Sequence, residues 1–160
     1  MMVLTGKPSK TRGTELEQLF HQLLGLGEEW EVLVLKVLGT DGTVEIEVRK
    51  KPQLWKGLLC EKDGEPLRPY GHGEQRRWRH LNIFEYRCEI VCALPRGRCG
   101  KCGEVRTVPA PWEGLSKGFT MAFEAMCPLL IRDMPMKRVS KFVGEHETRL
   151  SRVLSGHVER

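Results

Sequence analysis

The sequence has no apolar run approaching the roughly 20 residues that a membrane-spanning helix needs, and its opening MMVLTGKPSKTRGTELEQ has no apolar stretch of the kind a secretion signal uses. These absences exclude a membrane partner and point to the cytoplasm. There is no internal repeat and no low-complexity tract. At 160 residues the chain is too short for a large two-domain enzyme. What remains is ordinary globular material, 40% hydrophobic and 29% charged.

Charge is unevenly placed. The formal net charge is +5, but residues 1–60 balance eight basic against eight acidic side chains. The excess lies later: eight against four in residues 74–106 and seven against four in residues 132–160. Two basic regions in the second half suggest a polyanion partner, most plausibly nucleic acid. No small-molecule substrate is indicated.

Periodicity gives a coarse layout. Leu16, Leu19, Phe20, Leu23 and Leu24 form one helical stripe, which Gly25 or Gly27 can end. Val44, Ile46 and Val48 alternate with Glu45, Glu47 and Arg49 after an Asp41-Gly42 turn signal, so a hairpin with one buried face is expected. Residues 50–77 are rich in Gly and Pro and read as loop. Residues 76–95 read as two strands interrupted near Asn82 to Glu85, with Cys88 and Cys92 on one side of the second. APWEGLS reads as a linker into a helical region, with Thr120 as cap, Pro128 kinking or breaking the first helix, Pro135 in the first turn of the next and Cys127 a small core residue.

Near the C-terminal end, Ser140, Gly144 and Leu150 sit at the offsets of a helix-turn-helix, with Val139, Val143 and Val153 completing an apolar seam. That leaves His146, Glu147, Thr148, Ser151, Arg152 and Ser155 on the outward side, where a recognition helix presents base-reading groups. Arg149, Lys137, Arg138 and Lys141 are better placed for phosphates. An ordinary helical hairpin with Gly at its turn fits the same pattern, and Glu145 and Glu147 put negative charge near the phosphates.

Six cysteines in a cytoplasmic chain are better explained by metal or burial than by disulfides. CGKCG, residues 99–103, has the zinc-knuckle spacing, and CEKDG, residues 60–64, has the same frame with Asp63 in place of a cysteine. Cys60, Asp63, Cys99 and Cys102 therefore form one tetrahedral zinc set, since a carboxylate oxygen can bind zinc. His72 is a second choice for the fourth position, and Cys88 with Cys92 could replace Cys60 and Asp63. A thioredoxin-type use of Cys99 and Cys102 fits poorly, because no helix pattern follows.

The order of features, with Trp78-Arg79-His80-Leu81, Pro95-Arg96 before Cys99 and Cys102, Pro111-Trp112, Phe119-Thr120 with Phe123-Glu124, and Met134-Pro135, resembles the N-terminal part of ISL-three family insertion-sequence transposases. The resemblance implies a zinc-finger segment joined to a helix-turn-helix, with the DDE catalytic domain beyond this chain. It implies ligand positions at Cys60, Cys99 and Cys102, a DNA-binding region from Lys137 to Val158, and no catalytic residues here. Asp63 and Pro128 depart from the family pattern.

The expected fold is thus α+β, an N-terminal β-rich, zinc-ribbon-like half followed by a C-terminal three-helix helix-turn-helix domain. The expected segments are a leader and short helix (1–28), a hairpin and degenerate ribbon (29–112), and the DNA-binding helices (113–160). The expected cofactor is structural Zn2+, and the expected partner is double-stranded DNA at terminal inverted repeats, with self-association or a full-length transposase as further partners. The expected function is a noncatalytic, truncated, DNA-binding form of a transposase. A remnant that modulates the full-length enzyme and a stand-alone zinc-ribbon transcriptional regulator are the alternatives.

Overall fold

The computed structural model describes residues 3–4, 15–40, 42–52 and 58–158. The elements run β1 (Val3–Leu4), α1 (Glu15–Leu23), β2 (Trp30–Leu38), β3 (Thr43–Lys50), β4 (Arg68–Ile83), β5 (Tyr86–Arg98), β6 (Val105–Thr107), α2 (Met121–Asp133), α3 (Met136–Val143) and α4 (Glu147–Val158).

The strands form one mixed six-stranded sheet in the order β1-β2-β3-β5-β4, with β6 pairing β5. β2 and β3 make the expected antiparallel hairpin, with Trp30 opposite Lys50 and Leu38 opposite Thr43. Gly42 enters it at φ 65°; Asp41 of the expected turn lies outside the described residues. β3 then pairs in parallel with β5, Ile46 opposite Ile90. That parallel pair is non-local, and the antiparallel β4 lies between its two strands in sequence but outside them in space.

This overturns the expected division into a zinc-ribbon-like half and a three-helix helix-turn-helix domain. The ribbon is the far end of a larger mixed sheet, α1 lies between the first two strands of that sheet in the chain, and the later helices are tied to it. Arg79 on β4 donates to the carbonyl of Val143 at the end of α3 at 2.5 Å, and Arg87 on β5 donates to Gly144 O at 2.8 Å. The residues of the apolar seam, Val139, Val143, Leu150 and Val153, are buried together with Phe119, Phe123 and Cys127. The turn at Gly144, φ 70°, is therefore held to the strands through Arg79 and Arg87.

The main core is a tryptophan cluster. Trp112 meets Trp30 edge-on at 4.9 Å and Trp78 at 5.5 Å between ring centroids, and Val32, Ile46, Ile90 and Leu94 fill around them. Such edge-to-face pairs add about 0.5–1.5 kcal/mol each beyond the area buried. The segment expected to be a linker thus supplies a central core residue. Phe20 of α1 and Leu24 just after it pack against this cluster, whereas Leu16, Leu19 and Leu23 stay exposed.

Local chemistry explains the element ends. The Thr120 hydroxyl accepts from Phe123 N–H and caps α2. α2 continues through Pro128 to Asp133 instead of breaking there, held by Met126 and Leu130 against the second core. The Glu124 carboxylate, buried, accepts from the backbone N–H groups of Leu115 at 2.8 Å and Ser116 at 2.6 Å. It comes so close to Gly114 that a Cβ there would sit 2.3 Å from its carboxyl carbon. β4 begins at Arg68, inside the stretch that reads as loop; as an edge strand with irregular pairing at Pro69 to His72 and His72 to Gln75, it tolerates proline and glycine.

Candidate metal centre and basic helical face

The two short loops around the expected knuckles have the same backbone. Cys60 N–H donates to Glu65 O at 2.8 Å and Gly64 N–H to Cys60 O at 2.8 Å. Cys99 N–H donates to Glu104 O at 2.8 Å and Gly103 N–H to Cys99 O at 3.1 Å. Each loop turns through a left-handed glycine, Gly64 at φ 68° and Gly103 at φ 76°, a conformation that costs a side-chain-bearing residue about 1 kcal/mol or more.

The paired loops bring Cys60, Asp63, Cys99 and Cys102 together, one donor atom from each lying within 4.8 Å of the others. Cys60 Sγ is 3.5 Å from Cys102 Sγ and 3.6 Å from Asp63 Oδ2; Cys99 Sγ is 3.4 Å from the same oxygen. Tetrahedral zinc with Zn–S near 2.3 Å and Zn–O near 2.0 Å requires edges of about 3.8 Å between sulfurs and about 3.5 Å between sulfur and oxygen. The donor set fits. All four positions are protein side chains, as in structural sites, where no position is left open for substrate.

Electrostatics sets Cys99 apart from Cys88, Cys92, Cys102 and Cys127, which are all raised. Backbone N–H groups of Cys102 and then Lys101 hold the Cys99 thiol below its ordinary value, which favours the thiolate a metal needs. The Asp63 carboxyl is likewise lowered, first by its hydrogen bond with Cys102. Cys88 and Cys92 belong to the tryptophan core, where burial pushes both up to about 12. His72 lies on β4 opposite Pro95. Neither His72 nor the Cys88 and Cys92 pair joins the cluster among the described residues. Spacing gave no sign of Glu104, whose carboxylate accepts from Cys60 Sγ at 3.3 Å; the only hint was that a glutamate follows the glycine in both knuckles.

Around α3 and α4, Lys137, Arg138, Lys141, His146, Glu147, Thr148, Ser151, Arg152 and Ser155 are exposed. His146 and Thr148 are partly engaged with each other at the start of α4. The Ser151 and Ser155 hydroxyls donate back to Glu147 O and Ser151 O. Lys137, Arg138, Lys141 and Arg152 make no ion pair among the described residues. Arg149 differs: it is half-buried, 2.7 Å from Glu145 and 4.7 Å above the Phe119 ring.

Glu145 therefore cannot repel a polyanion as its sequence position suggests. Its side chain is 1% exposed and sits among three guanidinium groups, Arg79 at 3.1 Å, Arg87 at 2.6 Å and Arg149 at 2.7 Å. Arg79 is the buried centre of this knot. It also donates to Cys88 O, His80 O and Asn82 Oδ1, and it lies 4.9 Å above the Phe123 ring. Burial lowers its pKa to about 10, with Arg87 adding to the effect, so it stays charged at neutral pH.

Beside it, burial and then the Arg79 charge hold His80 down at about 4, with its Nδ1 2.9 Å from the Thr120 hydroxyl. A histidine lowered from about 6.5 stabilises the fold fully above that pH, and the contribution is lost as pH falls towards 4. Between pH 7.5 and 4.5 this group should cost about 2 kcal/mol. His80→Asn should flatten the pH dependence of thermal unfolding by that amount; an unchanged profile would remove His80 from the account.

No family model matches the chain, and no solved structure matches it. It is similar to the transposase for insertion sequence element IS1001 of Bordetella parapertussis, 34% identical over 89 residues. The chain is transposase-related over that stretch. The match covers 54% of this chain and 21% of the relative, so the chain spans about a fifth of the length of the transposase it matches. Among the described residues no helix is long and apolar enough to cross a membrane.

Proposed function

We propose that this chain is a noncatalytic, DNA-binding part of an insertion-sequence transposase of the ISL-three kind, and that it recognises the element's terminal inverted repeats. The observation that carries the reading is the set of exposed cations without acidic partners among the described residues, Lys137, Arg138, Lys141 and Arg152, on two consecutive helices of a transposase-related chain. Of the two acidic residues that would oppose such a partner, Glu145 is neutralised inside the fold and Glu147 stays exposed at the start of α4.

Lys137, Arg138 and Lys141 contact phosphates, and Arg152 with the exposed side of α4 reads base edges. A structural zinc at Cys60, Asp63, Cys99 and Cys102 supports the ribbon end without chemistry of its own. Phosphodiester transfer by paired metal ions needs hard oxygen ligands, and the metal-ligand cluster among the described residues is dominated by thiols.

Gel-shift titrations on the inverted repeats and on a scrambled duplex, at two salt concentrations, test this. Lys137→Ala, Arg138→Ala and Lys141→Ala should weaken both complexes alike and each lower the salt slope by about one. Arg152→Ala should cost about 1–3 kcal/mol on the repeats and less on the scramble. Equal affinity of all variants for both duplexes would sink the reading in favour of a protein that pairs with the full-length enzyme.

A further inference from the structure

The two knuckles share a backbone but differ in charge. The first has Glu61, Asp63 and Glu65 against Lys62, and Arg106 reaches it, 2.6 Å from Glu61 and bonded to Leu59 O at 3.2 Å. The second balances Lys101 against Glu104 and has two arginines at its base. Arg68 on β4 stands directly opposite Arg98 on β5, although like charges facing across strands destabilise a sheet. Arg68, Arg98 and Lys101 are exposed and have no ion pair among the described residues.

These cations border an open concavity of about 540 Å³, which Arg68, Tyr70, Arg98 and Lys101 line together with Cys99 and Cys102 of the candidate metal centre. The Arg68 guanidinium passes within 3.9 Å of where a Gly100 side chain would stand, and that of Arg98 within 3.7 Å of the same place at Gly103. Tyr70 orders the rim, its ring 5.2 Å from Arg98 and 5.8 Å from Arg96.

We infer that this concavity is a second contact for the phosphodiester backbone of duplex DNA, built on the knuckle and distinct from the α3–α4 face. It rests on the DNA partner proposed above. The repulsion between Arg68 and Arg98 is relieved by a bound phosphate, and two guanidinium forks with an ammonium suit such an anion. The contact carries no sequence information, so it adds affinity and salt dependence equally on every duplex.

The test uses the full chain, with zinc content and melting temperature measured first. Arg68→Gln/Arg98→Gln/Lys101→Gln should bind repeat and scrambled duplexes about tenfold or more weakly and lower the salt slope by roughly two to three. Lys101→Gln alone should lower it by about one with zinc unchanged, and Arg68→Lys/Arg98→Lys should bind nearly as the parent does. A triple variant with parental affinity and slope, beside an Arg152→Ala that loses affinity, overturns this contact and leaves the helical face standing. The reverse pattern supports the contact and overturns the helical face. Loss of zinc with unchanged DNA binding assigns the cations to screening of the thiolates and also overturns it, and a parent chain that binds no duplex at low salt overturns both.

Discussion

Glu145→Ala should lower the stability of the protein by about 3–5 kcal/mol, the range for removing one partner of a buried ion pair, and the melting temperature by roughly 8–15 °C for a chain of this size. The carboxylate is the only acid paired with Arg79 among the described residues, and its loss leaves the buried Arg79 guanidinium facing those of Arg87 and Arg149 with no carboxylate between them. Glu145→Gln should be milder, because the amide oxygen still accepts from Arg79 Nε. Arg79→Met is a different perturbation. It removes a charge whose burial is itself unfavourable, and Glu145 retains Arg87 and Arg149, but the carbonyls of Val143 and Cys88 lose their donor.

The double variant Arg79→Met/Glu145→Met should recover part of the loss seen in Glu145→Ala, since two apolar side chains leave no unpaired charge at the centre of the site. Thermal unfolding of the four variants measures this directly. A melting temperature for Glu145→Ala within about 2 °C of the parent would show that the knot is not what fastens α3 and α4 to the sheet.

The same knot shows where sequence reading stops. Features set by neighbours in the chain were legible: the β2–β3 alternation, the Thr120 cap, the left-handed Gly144, the buried seam of α3 and α4, and the knuckle frame that brings Cys60, Asp63, Cys99 and Cys102 together. Features set by distant partners were not. Glu145 reads as a surface charge until Arg79, 66 residues earlier, is seen beside it. Trp112 reads as a linker residue because Pro and Gly flank it, yet Trp30 and Trp78 enclose it. The parallel β3–β5 pairing has no local signature, and without it the ribbon looks like a unit separate from the sheet. Edge position allowed β4 to carry the glycines and proline that made it look like a loop.

The metal site yields the second large effect, and its expected form is local. Apolar support at the ribbon end is slight: Cys60, Leu67 and Cys99 are buried there, with Leu58 beside them. The tryptophan cluster lies in the other core. Where so little surface is buried, metal-binding energy becomes folding energy for that part of the chain. The protein should bind one Zn2+ per chain, and a chelator should release it with loss of hydrogen-exchange protection at Cys60, Gly64, Cys99 and Gly103, while β2 and β3 keep theirs. Cys99→Ser should abolish zinc binding, because that thiol is both a ligand and the acceptor of Lys101 N–H at 3.4 Å. Asp63→Cys should hold zinc against at least tenfold more chelator, since a fourth thiolate completes the usual structural set. Asp63→Ala should release it more easily than the parent. An Asp63→Ala protein that keeps zinc as firmly as the parent would exclude Asp63 as a ligand and point to Glu104, whose carboxylate already lies beside Cys60. If neither the parent nor Asp63→Cys binds zinc, the paired knuckles are held by their backbone hydrogen bonds alone, and the chelator should leave the exchange pattern unchanged.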